Sequence, residues 1–128
     1  MDDNKTMYCK IYVDSDMNED QLMGLITRIT SGSVISRIST VSTEDFNIYI
    51  DSNEDFDESR RLRGQDQFLF YRYYLDIDPT DNATQVRYIE SVSNLLQGLW
   101  LSGCKAVASC DFESKLPRSG GYQASSVD

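Results

Sequence analysis

The sequence predicts an α+β fold with the element order β-α-β-β-α-β, an antiparallel four-stranded sheet carrying two helices on one face. Three observations lead there. Segments 8–13 and 46–50 alternate apolar and polar residues with period two, as strands with one buried face do. Segments 22–29 and 86–100 space their apolar residues by three and four, as amphipathic helices do. Gly32, Pro79 and Gly103 punctuate the boundaries between such segments. With 128 residues, 40% of them hydrophobic, the chain can fill one core but not two. A net charge of −9 therefore sits on a globular chain rather than a disordered one.

The first strand is expected over 7–13, with Cys9, Ile11 and Val13 inward and Tyr8, Lys10 and Tyr12 outward. Asn18 and Gln21 read as a capping box opening a helix over 18–31, whose stripe is Leu22, Leu25, Ile26 and Ile29 and whose stop is Gly32. Residues 34–41 are extended but irregular, either the bent first half of the next strand or a separate edge strand. Strict alternation of Phe46, Ile48 and Ile50 with Asn47 and Tyr49 predicts the second strand at 45–51. Residues 53–67 are almost wholly polar and read as a loop. The aromatic run 68–77 predicts the third strand, with Leu69, Tyr71, Tyr73, Leu75 and Ile77 inward. Asp81 or Asn82 then caps a helix over 82–102, with Val86, Ile89, Val92, Leu95, Leu96, Leu99 and Trp100 on its buried side. The last strand is expected at 105–112. Trp100, Ile11, Ile26, Leu75 and Leu96 head the predicted core. Residues 1–118 form the expected single domain, and 119–128 a flexible tail.

Two strand-helix-strand units around a hairpin make a ferredoxin-like arrangement, with strand order 4-1-3-2. Strands one and two then run parallel, and both end at the same edge of the sheet. Asp14, Asp16, Glu19 and Asp20 follow strand one. Asp51, Glu54, Asp55, Asp57 and Glu58 follow strand two. These nine carboxylates converge under this topology, and such a cluster steers cationic partners. Acidic residues at a helix start also complement the helix dipole, so the pattern has a purely structural explanation as well. The sheet face away from the helices carries Tyr8, Tyr12, Phe68, Phe70 and Tyr74 beside Lys10, Arg72 and Lys105. This aromatic patch is a second candidate interface, unless the tail or the 53–67 loop covers it.

Composition removes several function classes. Histidine is absent, and with it the commonest general base and the usual partner of a Ser or Cys nucleophile. Three cysteines without a C-x-x-C pair do not make a zinc site. Asp14-Ser15-Asp16 lacks the glycine and closing glutamate of an EF-hand. No catalytic, cofactor or metal residues are expected. Nucleic acid is disfavoured, because a chain at −9 repels phosphates and Arg60-Arg61-Leu62-Arg63 follows five carboxylates that neutralise it. No apolar run reaches membrane length, and the polar, acidic start lacks the pattern of a signal peptide. The expected address is the cytoplasm.

The acidic N-terminal strand and helix, the segment Phe70-Tyr71-Arg72-Tyr73-Tyr74-Leu75-Asp76-Ile77-Asp78-Pro79 and the closing Ala108-Ser109-Cys110-Asp111-Phe112-Glu113 resemble small acidic bacterial immunity proteins of the contact-dependent inhibition and polymorphic toxin type. The resemblance covers most of residues 7–121. It implies a cytosolic, non-enzymatic protein that binds and neutralises one cognate toxin domain, often a basic nuclease, with no cofactor. Immunity proteins share no common binding motif, so no site residue follows from the resemblance. The alternative is a ferredoxin-like ligand-binding or dimeric regulatory domain, and a homodimer fits that reading. A small carboxylate enzyme is a third class, and it would need a deep pocket holding two carboxylates.

Overall fold

In the computed structural model, which describes residues 8–35, 39–54 and 67–121, the period-two pattern at the start of the chain is strand β1 (Cys9–Asp14). Cys9, Ile11 and Val13 are fully buried, and Lys10 and Tyr12 are half-exposed. Helix α1 (Glu19–Thr30) opens on the expected capping box: Asn18 Oδ1 accepts from Gln21 N at 2.9 Å, and Gln21 Oε1 accepts from Asn18 N at 2.9 Å. Strands β2 (Ser33–Ile35), β3 (Thr40–Ser42) and β4 (Phe46–Ser52) follow. After a 3-10 turn at Gln67–Phe70 come β5 (Tyr73–Pro79), helix α2 (Gln85–Leu101), β6 (Lys105–Ser109) and two 3-10 segments, Glu113–Lys115 and Pro117–Gly121.

The strands form one antiparallel sheet in the order β2-β3-β4-β5-β1-β6. β1 and β4 both run against β5, so they are parallel to each other, and Val13 and Ser52 both pair with Tyr73. Buried residues of α1, of α2 and of one sheet face form a single cluster that includes Leu22, Ile26, Leu95, Leu96, Ile11, Ile48 and Leu75. The largest of its fully buried side chains is Tyr88. Its hydroxyl donates to the Ile77 carbonyl at 3.2 Å, so the polar tip is satisfied inside the core.

The sheet corrects several sequence expectations. Among the described residues it has six strands, not four. β2 and β3 are separate strands that pair antiparallel, with Val34 paired to Val41 and Val41 to Ile48. Both Val34 and Ile35 are exposed on the edge strand, which is why no alternation is visible there. The β3–β4 turn is tied by Thr43, whose Oγ1 accepts from Phe46 N at 3.0 Å and whose N donates to Phe46 O at 2.9 Å.

The aromatic run does not form one strand from residue 68. Asn53 Nδ2 donates to the carbonyls of Leu69 (3.0 Å) and Tyr71 (2.7 Å), and Arg72 N donates to Asp14 Oδ1 (3.3 Å). Side chains thus satisfy backbone groups that a ladder would otherwise claim, and the chain turns before entering β5. Leu69, expected inward, is 43% exposed. β6 ends at Ser109, because Glu113 Oε2 takes up Cys110 N at 2.9 Å and starts a 3-10 turn.

α2 is capped by Thr84, not by Asp81 or Asn82. Its buried stripe runs Tyr88, Val92, Leu95, Leu96 and Leu99, and Val86 lies off it, 76% exposed. Trp100 is only partly buried: Nε1 donates to Ala106 O at 3.0 Å, and the Arg118 guanidinium lies 4.9 Å from the ring centre. α1 stops on Ser31, which adopts the left-handed conformation at φ 58°. Gly32 serves packing instead, since a Cβ there would lie 2.7 Å from Val41 Cγ1. The packed chain continues through Gly121, where a Cβ would lie 2.4 Å from Ala106 O. Residues 122–128 lie outside the described residues.

Candidate protein interaction surface

The acidic edge follows from the strand directions. β1 and β4 end side by side about Tyr73, and β3 begins there too, since Ile50 N donates to Ser39 O at 3.0 Å. Glu19 belongs to the same edge: its Oε2 accepts from Ser39 Oγ at 2.5 Å and pins the start of α1 to the start of β3. The carboxylates found there are not equivalent. Asp14 is buried and accepts from Arg72 N, so it serves the scaffold. Asp16, Asp20, Asp51 and Glu54 are exposed. Asp55, Asp57 and Glu58 lie outside the described residues, as do the three arginines at 60, 61 and 63.

The open sheet face is set by register. One row across β4, β5, β1 and β6 reads Tyr49, Asp76, Lys10, Ser109. The next reads Asp51, Tyr74, Tyr12, Val107. Lys10 Nζ lies 4.1 Å from the Tyr74 ring centre and 5.3 Å from that of Tyr12, a cation held over two rings. Tyr8 donates its hydroxyl to Asp76 Oδ1. The Tyr8 phenol is pushed well above its ordinary pKa, first by desolvation and then by the Asp76 hydrogen bond and charge. Tyr8 is 45% exposed and Tyr49 36% exposed on this face.

Of the aromatic residues expected here, Tyr8, Tyr12 and Tyr74 are present on the sheet. Phe68 is not a strand residue. It belongs to the 3-10 turn, is buried, and meets Tyr12 edge-on at 5.3 Å, so it covers that end of the face. The side chain of Phe70 lies outside the described residues. Arg72 sits at the bend before β5, 5.5 Å from the Tyr73 ring, rather than on the face. Sequence reasoning left Tyr49, Asp76 and Asp78 out of the candidate list. The signal for Tyr49 was its alternation with Ile48 and Ile50.

The edge and the face meet at Tyr74. It pairs with Asp51, and its phenol is raised first by desolvation and then by Asp51 and Asp76, with Lys10 opposing and Glu54 adding. Asp51 at the end of β4 is the register partner of Tyr74, so the edge and the face adjoin there. Together they offer flat tyrosine area, carboxylates and one ring-bound lysine, which suits a protein partner carrying Lys and Arg.

A cleft of about 280 Å³ lies at the opposite end of the sheet, between the end of α1, the β3–β4 turn and α2. Its acids are engaged by neighbours: Arg87 reaches Asp45 at 3.2 Å and Glu44 at 3.6 Å, and Ser91 Oγ donates to Asp45 at 2.8 Å. Among the described residues, no group of three or more His, Cys, Asp or Glu side chains is placed to hold a metal ion, and no helix is long and apolar enough to cross a membrane. In comparisons with known proteins, no family model, no curated protein and no solved structure matches this chain.

Proposed function

We propose that this protein binds a basic protein domain through the joined acidic edge and tyrosine face, and that it does so as an immunity-type inhibitor of a toxin. The core would be a ferredoxin-like four-stranded unit, β6-β1-β5-β4, widened by the β2–β3 hairpin. The observation that carries the reading is the pairing of Asp51 with Tyr74, which makes the two acidic and aromatic patches contiguous. Tyrosines supply large contact area at low entropic cost, and exposed carboxylates raise the encounter rate with a cationic partner. The net charge of −9 and the resemblance to small acidic immunity proteins point the same way.

This reading expects a large secreted protein with a basic C-terminal domain to be encoded beside this chain, and that domain is the partner used in the test. Asp51→Lys with Glu54→Lys is expected to slow association by about tenfold at low salt, with a smaller effect on dissociation. Tyr74→Ala is expected to act on dissociation instead, weakening binding by about 2 kcal/mol or more. Cells expressing the toxin domain should lose protection with either variant. Normal binding and protection by both variants would refute the assignment.

A dimeric regulatory domain is favoured by one observation, the exposed edge strand β2 with Val34 and Ile35 at 44% and 45% exposure. Among the described residues no strand pairs with its outer edge, and such an apolar edge is a template for a second copy.

A further inference from the structure

The last pair of the β1–β6 ladder is Lys10 with Ser109, so Cys9 and Cys110 are the residues that flank the end of that ladder, one on each chain segment. Both lie on the helix-facing side, Cys9 in line with Ile11 and Val13, Cys110 in line with Ala106 and Ala108. Cys9 belongs to the buried core, Cys110 packs against that core, and both thiols are free. Directly opposed residues on antiparallel strands have Cα atoms about 4.5 or about 5.5 Å apart, which falls within the span of about 4.4–6.8 Å that a disulfide bridges. The third thiol, Cys104, lies at the other end of β6, just before Lys105.

We propose that Cys9 and Cys110 are a peroxide-oxidisable dithiol, with Cys110 as the attacking sulfur and Cys9 as the resolving one, closing a reversible disulfide between β1 and the bend just beyond β6.

The two sulfurs are unequal in the sense this needs. Cys9 is fully buried; Cys110 is partly exposed, at the bend just beyond β6. The Cys9 hydrogen bond, and after it the Phe112 backbone N–H, lower the Cys110 pKa against the opposing effects of burial, Glu113 and Asp111. The same hydrogen bond, together with burial, holds the Cys9 thiol well up. Cys9 thus holds its proton more firmly than Cys110, and the thiolate that forms at Cys110 is the one that reacts. That thiolate attacks one oxygen of a hydroperoxide. The S–O bond forms, the O–O bond breaks, and the departing oxyanion takes a proton and leaves as water or an alcohol. Cys9 sulfur then attacks the sulfenic acid at Cys110. The S–S bond forms, the S–O bond breaks, and the Cys9 proton leaves with the hydroxyl as water. The two sulfurs together lose two electrons, and the peroxide gains both.

Reduced, full-length protein is treated with equimolar hydrogen peroxide, alkylated and analysed by mass spectrometry. The expected result is loss of two hydrogen masses, a proteolytic product joining the Cys9 and Cys110 peptides, and alkylated Cys104. The oxidised protein should melt higher by about 10 °C, since the bridge closes a loop of about a hundred residues. Cys110→Ser should abolish the rapid mass loss. Cys9→Ser should leave a sulfenic acid at Cys110 that dimedone traps. Because Cys9 is buried, Cys110→Ser and the peptide map of the unaltered chain decide the matter if Cys9→Ser does not fold. Oxidation of Cys104 ahead of Cys110, bridges formed only between molecules, or unchanged peroxide consumption in Cys110→Ser would each overturn the proposal.

Discussion

Asn53 decides more of this structure than its place in a polar stretch suggests. Its side-chain amide holds the Leu69 and Tyr71 carbonyls, and its own N–H donates to Arg72 O at 2.9 Å. Asn53→Ala leaves those carbonyls short of donors and should cost about 1–3 kcal/mol in urea unfolding, with faster hydrogen exchange at residues 67–72. Tyr88 is a second such residue. Burial first, and then nearby thiols and acids, push its phenol far above its ordinary range. Above about pH 10 the unfolded chain loses the phenol proton while the folded one keeps it, so the unfolded state binds fewer protons and stability falls as pH rises. The loss should approach about 1.4 kcal/mol per pH unit from this group. Denaturant midpoints measured from pH 8 to 11 should show a shallower decline in Tyr88→Phe, and equal slopes would show that Tyr88 does not carry the effect.

Helix starts were legible at the scale of elements where a local signal exists. The Asn18–Gln21 box is complete in four residues, and the structure reproduces it at the expected position. The cap of α2 was not, because Asp81, Asn82 and Thr84 are all competent caps and only the packing of Tyr88 selects the last. Between a bent first half of the next strand and a separate edge strand, residues 34–41 left the choice open, because three-residue strands give no measurable period and the pairing of β3 with β4 depends on a turn held by Thr43. The edge strand has its own expected behaviour. If β2 pairs with a second copy, sedimentation velocity should show a dimer that Ile35→Lys converts to monomer, since a charge on an edge blocks pairing. An unaltered chain that sediments as a monomer at all concentrations removes the dimeric reading.

Charge acts on the molecule as a whole, and in two directions. At −9 the folded chain repels itself, so raising salt from about 0.05 to about 0.5 M should raise the melting temperature by about 3–5 °C, roughly 1 kcal/mol. The same salt should slow encounter with a basic partner. Opposite salt responses of stability and association rate are the expected signature of a surface acidic by function. A melting temperature that falls with salt would mean that the carboxylates are internally compensated. Tyr74 belongs to this scale too. Its neighbours Asp51, Glu54, Asp76 and Lys10 come from three strands and a turn, and only the sheet assembles them.

By itself, the sequence determined the α+β class, the two helices, the inward faces of β1 and β4, and the shared edge at which those strands end. Each rests on periodicity or capping within a dozen residues, or on strand direction alone. The tertiary structure decided the six-stranded width of the sheet, the break of the aromatic run at residues 67–72, the burial of Tyr88 and the union of edge and face at Asp51 and Tyr74. It also decided the meeting of Cys9 and Cys110, a hundred residues apart. These depend on side chains that reach across the fold to satisfy backbone groups, and on cross-strand register. Neither leaves a periodic trace along the chain.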